Sequence, residues 1–221
     1  MRRFSDRADA GGLLASSLKA YAFRSDVVVV GVPRGGIPVA FTVARSLRVP
    51  LDVIAVRKLR VRRQPELALG AVANGGVRVL NPAAIRSVNL SIGHVYGALA
   101  KEEEIEKWET ILRGGDRTHS LSGRTVVLVD DGAATGSTML AAIEAVRRQH
   151  AKEVAIALPV ASREAYRRFQ HQVSTCVCLA TPHPFLALSE SYESFPPVTD
   201  EEVKDLLARF RNEVAGETNH H

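Results

Sequence analysis

Residues 126–138 read VVLVDDGAATGST, and no other run restricts the fold of this chain as tightly. Val126, Val127, Leu128 and Val129 are apolar in succession, the pattern of a strand buried on both faces of a parallel sheet. Two adjacent carboxylates, Asp130 and Asp131, stand where such a strand ends. Gly132, Ala133, Ala134, Thr135, Gly136, Ser137 and Thr138 then make a turn of small and hydroxylated residues. The following MLAAIEAVRRQ has helical spacing, with Leu140, Ile143 and Val146 on one side. Strand, small-residue turn and helix N-terminus together make an anion site, because free backbone N–H groups and the positive end of the helix dipole face the bound group. The hydroxyls of Thr135, Ser137 and Thr138 add donors for phosphate oxygens. The acid pair would repel that phosphate unless it faces a sugar diol or a Mg²⁺ ion. The run therefore predicts a ligand with a phosphate at one end and a diol or metal beside it.

Two other phosphate motifs are excluded. A Walker loop needs G-x-x-x-x-G-K-[ST], whereas Gly132 and Gly136 are one residue too close and no lysine follows. The dinucleotide fingerprint G-x-G-x-x-G is absent as well.

The rest of the chain alternates strand and helix, which predicts an α/β fold: a Rossmann-like parallel sheet flanked by helices, joined by right-handed crossovers. Strands are expected at 27–32, 51–56, 125–129, 154–159 and 173–180, and helices at 9–21, 37–47, 138–149, 162–169 and 200–211. Residues 57–67 are basic and polar without apolar periodicity and read as a loop. Residues 69–73 and 77–80 read as a hairpin around Asn74, Gly75 and Gly76. Ser91 is placed to cap a long helix ending near Arg113, before Gly114 and Gly115.

Open parallel sheets bind ligands beyond the carboxyl ends of their strands, and two further groups fall there. Pro33-Arg34-Gly35-Gly36 follows the first strand; the glycines let backbone amides approach an anion, and Arg34 adds a charged fork. Arg57 and Lys58 end the next strand and open a run with Arg60, Arg62 and Arg63, itself read as a solvated basic face. Glu66 lies just beyond, where a carboxylate faces either solvent or the reacting partner.

VVLVDDGAATGST resembles the PRPP-binding motif of the type I phosphoribosyltransferases, PRPP being phosphoribosyl pyrophosphate. GVPRGG, VRK, PELALGAV and LALSESYESFPPVTDEEV are similar to a bacterial subgroup of that family with an unsettled acceptor, so the likeness covers nearly the whole chain. The resemblance implies a single domain over residues 1–221, with a small hood from 70–115 and the C-terminal tract 181–214. It implies transfer of a 5-phosphoribosyl group from PRPP to a nitrogenous base, with Mg²⁺ as cofactor and release of pyrophosphate. Ala133, Ala134, Thr135, Gly136, Ser137 and Thr138 would hold the 5′-phosphate, and Arg34, Gly35, Gly36, Arg57 and Lys58 the pyrophosphate. Asp130 and Asp131 would hold the ribose hydroxyls, and with Lys58 and Glu66 they are the candidate catalytic residues. Mg²⁺ would be held through PRPP, with Asp130 and Asp131 as the nearest protein groups. The 6-oxopurine enzymes of the family carry a third carboxylate where this chain has Ala134, which implies weak or no activity on hypoxanthine and guanine. Pro182, Phe185 and Tyr192 are candidate walls for the acceptor or, equally, core residues. Arg60 and Arg62 stand where relatives tend to carry glycine, which favours an alternative: a PRPP-binding sensor without catalysis, in contact with nucleic acid.

Composition agrees. The chain has 221 residues, enough for one good core, and a net charge of +5, which suits a polyanionic ligand. Nucleic acid is the less favoured partner, and a homodimer is compatible with the resemblance. No apolar run approaches the roughly 20 residues that span a bilayer, and MRRFSDRADAGG lacks the apolar core of a signal peptide, so a cytoplasmic protein is expected. Cys176 and Cys178 alternate within one apolar run and read as reduced strand residues rather than a metal pair.

Overall fold

The computed structural model describes residues 3–61, 64–73, 77–87, 102–115 and 120–218, with backbone alone at 60–61, 64–68, 83–84, 102–103 and 217–218. Five parallel strands form the main sheet: β1 (Val27–Gly31), β2 (Leu51–Val53), β6 (Thr125–Val129), β7 (Glu153–Val160) and β8 (Thr175–Ala180), in the order β2-β1-β6-β7-β8. Its helices are α1 (Arg7–Ser16), α2 (Gly36–Leu47), α5 (Ser137–Arg148), α6 (Arg163–Gln170) and α7 (Asp200–Thr218). Between β2 and β6 the chain builds a second, antiparallel sheet from β3 (Val56–Val61), β4 (Gln64–Ala73) and β5 (Val77–Leu80), followed by α3 (Pro82–Ser87) and α4 (Glu102–Arg113).

β1 and β6 lie side by side with Val28 opposite Val126 and Val30 opposite Leu128, and every residue of both is buried. Their uninterrupted apolar sequences follow from this position, since helices cover both faces. Val27, Val29, Val127 and Val129 pack against the cluster containing α1, α2 and α7. Val28, Val30, Val126 and Leu128 pack against α5, Phe169 of α6, and Ala71, Ala73 and Val77 of the small sheet. Each such side chain contributes about 1.5–3 kcal/mol on burial. Adjacent strands carry adjacent loops, so 32–36 and 130–138 emerge together, and the Val32 amide donates to the Val129 carbonyl at 2.9 Å.

Most expected elements are present within a residue or two. The first helix begins earlier, at Arg7, because Asp6 caps it: the Asp9 amide donates to Asp6 Oδ1 at 2.8 Å. It also ends earlier, at Ser16, leaving 19–21 as a short 3₁₀ turn. The 57–67 loop is a correction. Residues 56–61 are strand β3 and β4 starts at Gln64, with Arg57 opposite Val72 and Lys58 opposite Ala71. Exposed Arg57 and Lys58 mask the alternation, while Val56 and Leu59 are buried. The Leu59/Arg60 and Arg60/Val61 steps carry register shifts, which break the period further. α3 was not expected. Asn74, Gly75 and Gly76 of the expected hairpin turn, and Ser91 of the expected helix cap, lie outside the described residues.

A buried ionic group fastens α4 where the chain leaves the main sheet. Arg113 donates to Asp52 Oδ1 at 2.8 Å, to Glu109 Oε1 at 2.5 Å and to the Val53 carbonyl at 2.6 Å. Glu109 Oε2 accepts from the Ala55 amide at 2.7 Å. Replacing Glu109 by alanine leaves a buried guanidinium and an amide short of a partner. Urea denaturation of Glu109→Ala is expected to give a stability lower by about 3–5 kcal/mol with an unchanged m-value.

Candidate active site

The 132–138 loop is shaped by what lies beneath it. Gly136 has φ 77°, and a Cβ there would sit 2.8 Å from the ring of Phe169, which is fully buried. Glycine thus meets both a left-handed backbone and a close approach. Gly136 is also the residue before α5, which has no side-chain cap. The first amides of the helix are left without intrahelical acceptors, in the place an anion would take. Thr135 Oγ1 and Ser137 Oγ lie 3.4 Å apart at this end. The loop is pinned from outside: Ser162 Oγ donates to the Ala134 carbonyl at 2.6 Å, and Arg168 Nη1 to the Thr135 carbonyl at 3.0 Å.

The glycines of the 33–36 turn close on the acid pair. A Cβ on Gly35 would lie 2.0 Å from Asp131 Oδ2, and one on Gly36 would lie 2.8 Å from Asp130 Cα. The Pro33–Arg34 peptide is cis. Asp130, Asp131, Gly35 and Gly36 are therefore one packed unit, drawn from two loops that are far apart in sequence.

Asp131 has a partner that sequence reasoning missed. Arg7 of α1 reaches it with Nε and Nη2, both 2.9 Å from Oδ2, and both side chains are about nine-tenths buried. The guanidinium donates in addition to the Pro196 carbonyl at 2.8 Å and lies 3.8 Å from the centre of the Phe195 ring. Tyr192, a candidate acceptor wall, is instead buried; its hydroxyl donates to the Asp131 carbonyl at 2.6 Å and its ring stacks on Phe195. Pro182 and Phe185 do line a cavity, beside Ala134 and Thr135.

Burial, and then the charge of Asp131, push the Asp130 carboxyl well above the usual carboxylate range, while Lys58 opposes the shift. Burial also raises Asp131, and Arg7 is the chief opposing influence. Lys58 thus acts on both acids from β3.

Arg34 and Arg57 converge on another group. Arg34 Nε and Nη2 grip Asp200 at 2.8 and 3.2 Å, and Arg57 Nη1 meets Glu104 Oε2 at 3.1 Å. Their guanidinium carbons lie 5.7 and 5.8 Å from the ring centre of Trp108, whose Nε1 donates to Asp200 Oδ1 at 3.1 Å. The Arg34 fork outweighs the opposing effect of burial and holds the Asp200 carboxyl below its ordinary value. Trp108 and Asp200 carried no signal in the sequence beyond lying on helices. Glu66 falls on β4 and Arg60 on β3 by backbone, but their side chains, like Arg62 and Arg63 altogether, lie outside the described residues. Among the described residues no group of three or more His, Cys, Asp and Glu side chains is arranged to hold a metal. Cys176 and Cys178 are half-buried free thiols of β8, both raised by burial, to about 12 and about 11. No described helix is long and apolar enough to cross a membrane.

A test of the Arg7 clamp follows from its charge. A carboxyl whose pKa is raised by folding contributes stability below its unfolded value and loses it as pH rises through its folded value. Removing Arg7 raises Asp131 further, so Arg7→Met should be destabilised by about 3–5 kcal/mol near neutrality, with a smaller deficit in mild acid. Denaturation of both proteins across that pH range measures it; a deficit independent of pH would contradict the pairing.

Residues 6–192 match the family model of the phosphoribosyl transferase domain. Over 218 residues the chain is 44% identical to "Putative phosphoribosyl transferase Rv0571c" of Mycobacterium tuberculosis (strain ATCC 25618 / H37Rv), covering 97% of this chain and 48% of that protein. The chain thus spans about half the length of that curated relative. The crystal structure of TT1426 from Thermus thermophilus matches with a TM-score of 0.76 at 40% identity, over 95% of this chain and 99% of that one. With this match, and with a parallel sheet whose neighbouring strand ends bring the glycine turn against the acid pair, the chain belongs to the phosphoribosyl transferase domain family.

Proposed function

We propose that the chain transfers a 5-phosphoribosyl group from PRPP to a nitrogenous base in the cytoplasm. The observation that carries this reading is the packing of Gly35 and Gly36 against Asp131 and Asp130, with the open start of α5 next to them. A pyrophosphate loop, a diol site and a phosphate cradle are then contiguous, as PRPP requires. Residues 70–115 and the 181–214 tract are assigned as the hood.

In the reaction the bond from C1 to pyrophosphate breaks, the ribosyl centre gains oxocarbenium character, and a base nitrogen adds from the opposite face. The amides and hydroxyls of 133–138 would fix the 5′-phosphate. Asp130 would hold the ribose hydroxyls, and Asp131, kept in place by Arg7, would hold its share. Lys58 and the 33–36 amides would stabilise charge growing on the leaving group. Positioning by these groups supplies most of the catalysis. Mg²⁺ fits the residues present: Asp130 and Asp131 are adjacent hard oxygen donors at the end of β6 and would hold the ion together with PRPP oxygens. When bound, the ion supplies neutralisation of the pyrophosphate charge.

A PRPP sensor is the second reading, favoured by the carboxylates already seated on Arg34 and Arg57. Pyrophosphate release over a panel of bases separates the two. Turnover with one base is expected, hypoxanthine and guanine being poor; PRPP binding with silence throughout would favour the sensor. Asp130→Asn with Asp131→Asn should abolish PRPP affinity in a folded protein. Arg34→Ala should weaken pyrophosphate more than ribose 5-phosphate, and equal losses would remove Arg34 from the pyrophosphate site.

A further inference from the structure

We propose that the acceptor is an anionic nitrogen heterocycle, one carrying a carboxylate or a phosphate, and that it sits in the cleft between α6 and the 182–186 segment. The cleft has a volume of about 800 Å³, the size of a small-molecule site. Ala134 and Thr135 form part of its lining, so a ring within it lies against the phosphate loop. Asp130, Asp131, Lys58 and the 33–36 turn are not part of that lining, so the cleft shares the 133–138 loop with the proposed 5′-phosphate subsite and is separate from the diol and pyrophosphate subsites. The identification of the occupant as acceptor rests on the phosphoribosyltransferase reading above.

The charge of the lining selects the ligand. Arg163, Arg167 and Arg168 face the cleft together with His171 and His183, against one carboxylate, Glu164. Several arginines elsewhere are answered by acids: Asp131 pairs with Arg7, Asp26 with Arg24, Asp200 with Arg34, Glu104 with Arg57, and Asp52 with Arg113. Among the described residues no carboxylate pairs with Arg163, Arg167 or Arg168. Arg168 is held by one nitrogen on the Thr135 carbonyl, which leaves the rest of its fork for a ligand. Such planar forks match carboxylate and phosphate oxygens in pairs.

Two other features agree. Phe185 is half-buried and Leu186 is 72% exposed, which gives a ring an apolar wall beside the cations. Ala134 puts a methyl group on the cleft where a carboxylate would repel an anionic ring. The position that argues against 6-oxopurines therefore argues for a negatively charged acceptor.

The test uses ring pairs that differ by one carboxylate: orotate with uracil, and nicotinate with nicotinamide. Equilibrium binding to the PRPP-loaded protein is measured for each, on the parent and on Arg163→Gln/Arg167→Gln, with PRPP affinity determined on the same samples. The carboxylated member of at least one pair is expected to bind about tenfold tighter. That advantage should vanish in the double variant and fade at high salt, with PRPP affinity unchanged. Equal binding within each pair, no binding of either carboxylated ring, or an advantage that survives the double substitution would overturn the proposal. A parent that fails to bind PRPP strikes the phosphoribosyltransferase reading instead; PRPP bound without preference for the charged ring strikes only the anionic acceptor.

Discussion

The site depends on a steric permission. Asp131 Oδ2 occupies the space a side chain on Gly35 would need, 2.0 Å from its Cβ position. Two turns from neighbouring parallel strands interpenetrate there, and any larger residue would force them apart. The parallel sheet makes this arrangement available, because β1 and β6 pair in register and end at the same level. Everything ascribed to the site, from the clustered acids to the open helix start, follows from that coincidence of ends.

Crowding two carboxyl groups into such a place has an electrostatic cost that distant elements offset. Arg7 arrives from the first helix, is braced by the Pro196 carbonyl and the Phe195 ring, and neutralises one acid. Tyr192 holds the backbone of the same residue. The first helix and the 192–196 segment are remote in sequence, yet both serve one carboxylate. The antiparallel sheet contributes Lys58 from the other direction. The acid pair is thus a junction of three parts of the chain, and its charge state is tied to the integrity of all three.

Most of the architecture was legible in the sequence because its signals are local. Continuous β-branched runs marked β1 and β6, and small residues after them marked the turns. The 132–138 turn and the helix start at its end could be located for the same reason. Arg7 could not be found this way, since a lone arginine at the start of a helix resembles any solvated one until the fold carries it to Asp131. Trp108 and Asp200 were missed alike, their meaning lying in contacts across α4 and α7. β3 reads as a loop in sequence because two consecutive exposed cations, Arg57 and Lys58, break the alternation of a strand that register shifts also interrupt. For Tyr192 an apolar wall and a core residue read alike in sequence, and its burial makes it a core residue. Period and propensity reveal backbone, whereas long-range ion pairs are written only in three dimensions.

Trp108 is the chain's one tryptophan, and it stands between the cations of Arg34 and Arg57 with its indole nitrogen on Asp200. Any polyanion that draws those guanidinium groups away from their carboxylates must alter the local field at the indole. The protein therefore carries its own fluorophore beside the cations that the proposed function assigns to the leaving group, and a change in its emission on adding pyrophosphate would report their displacement without a label.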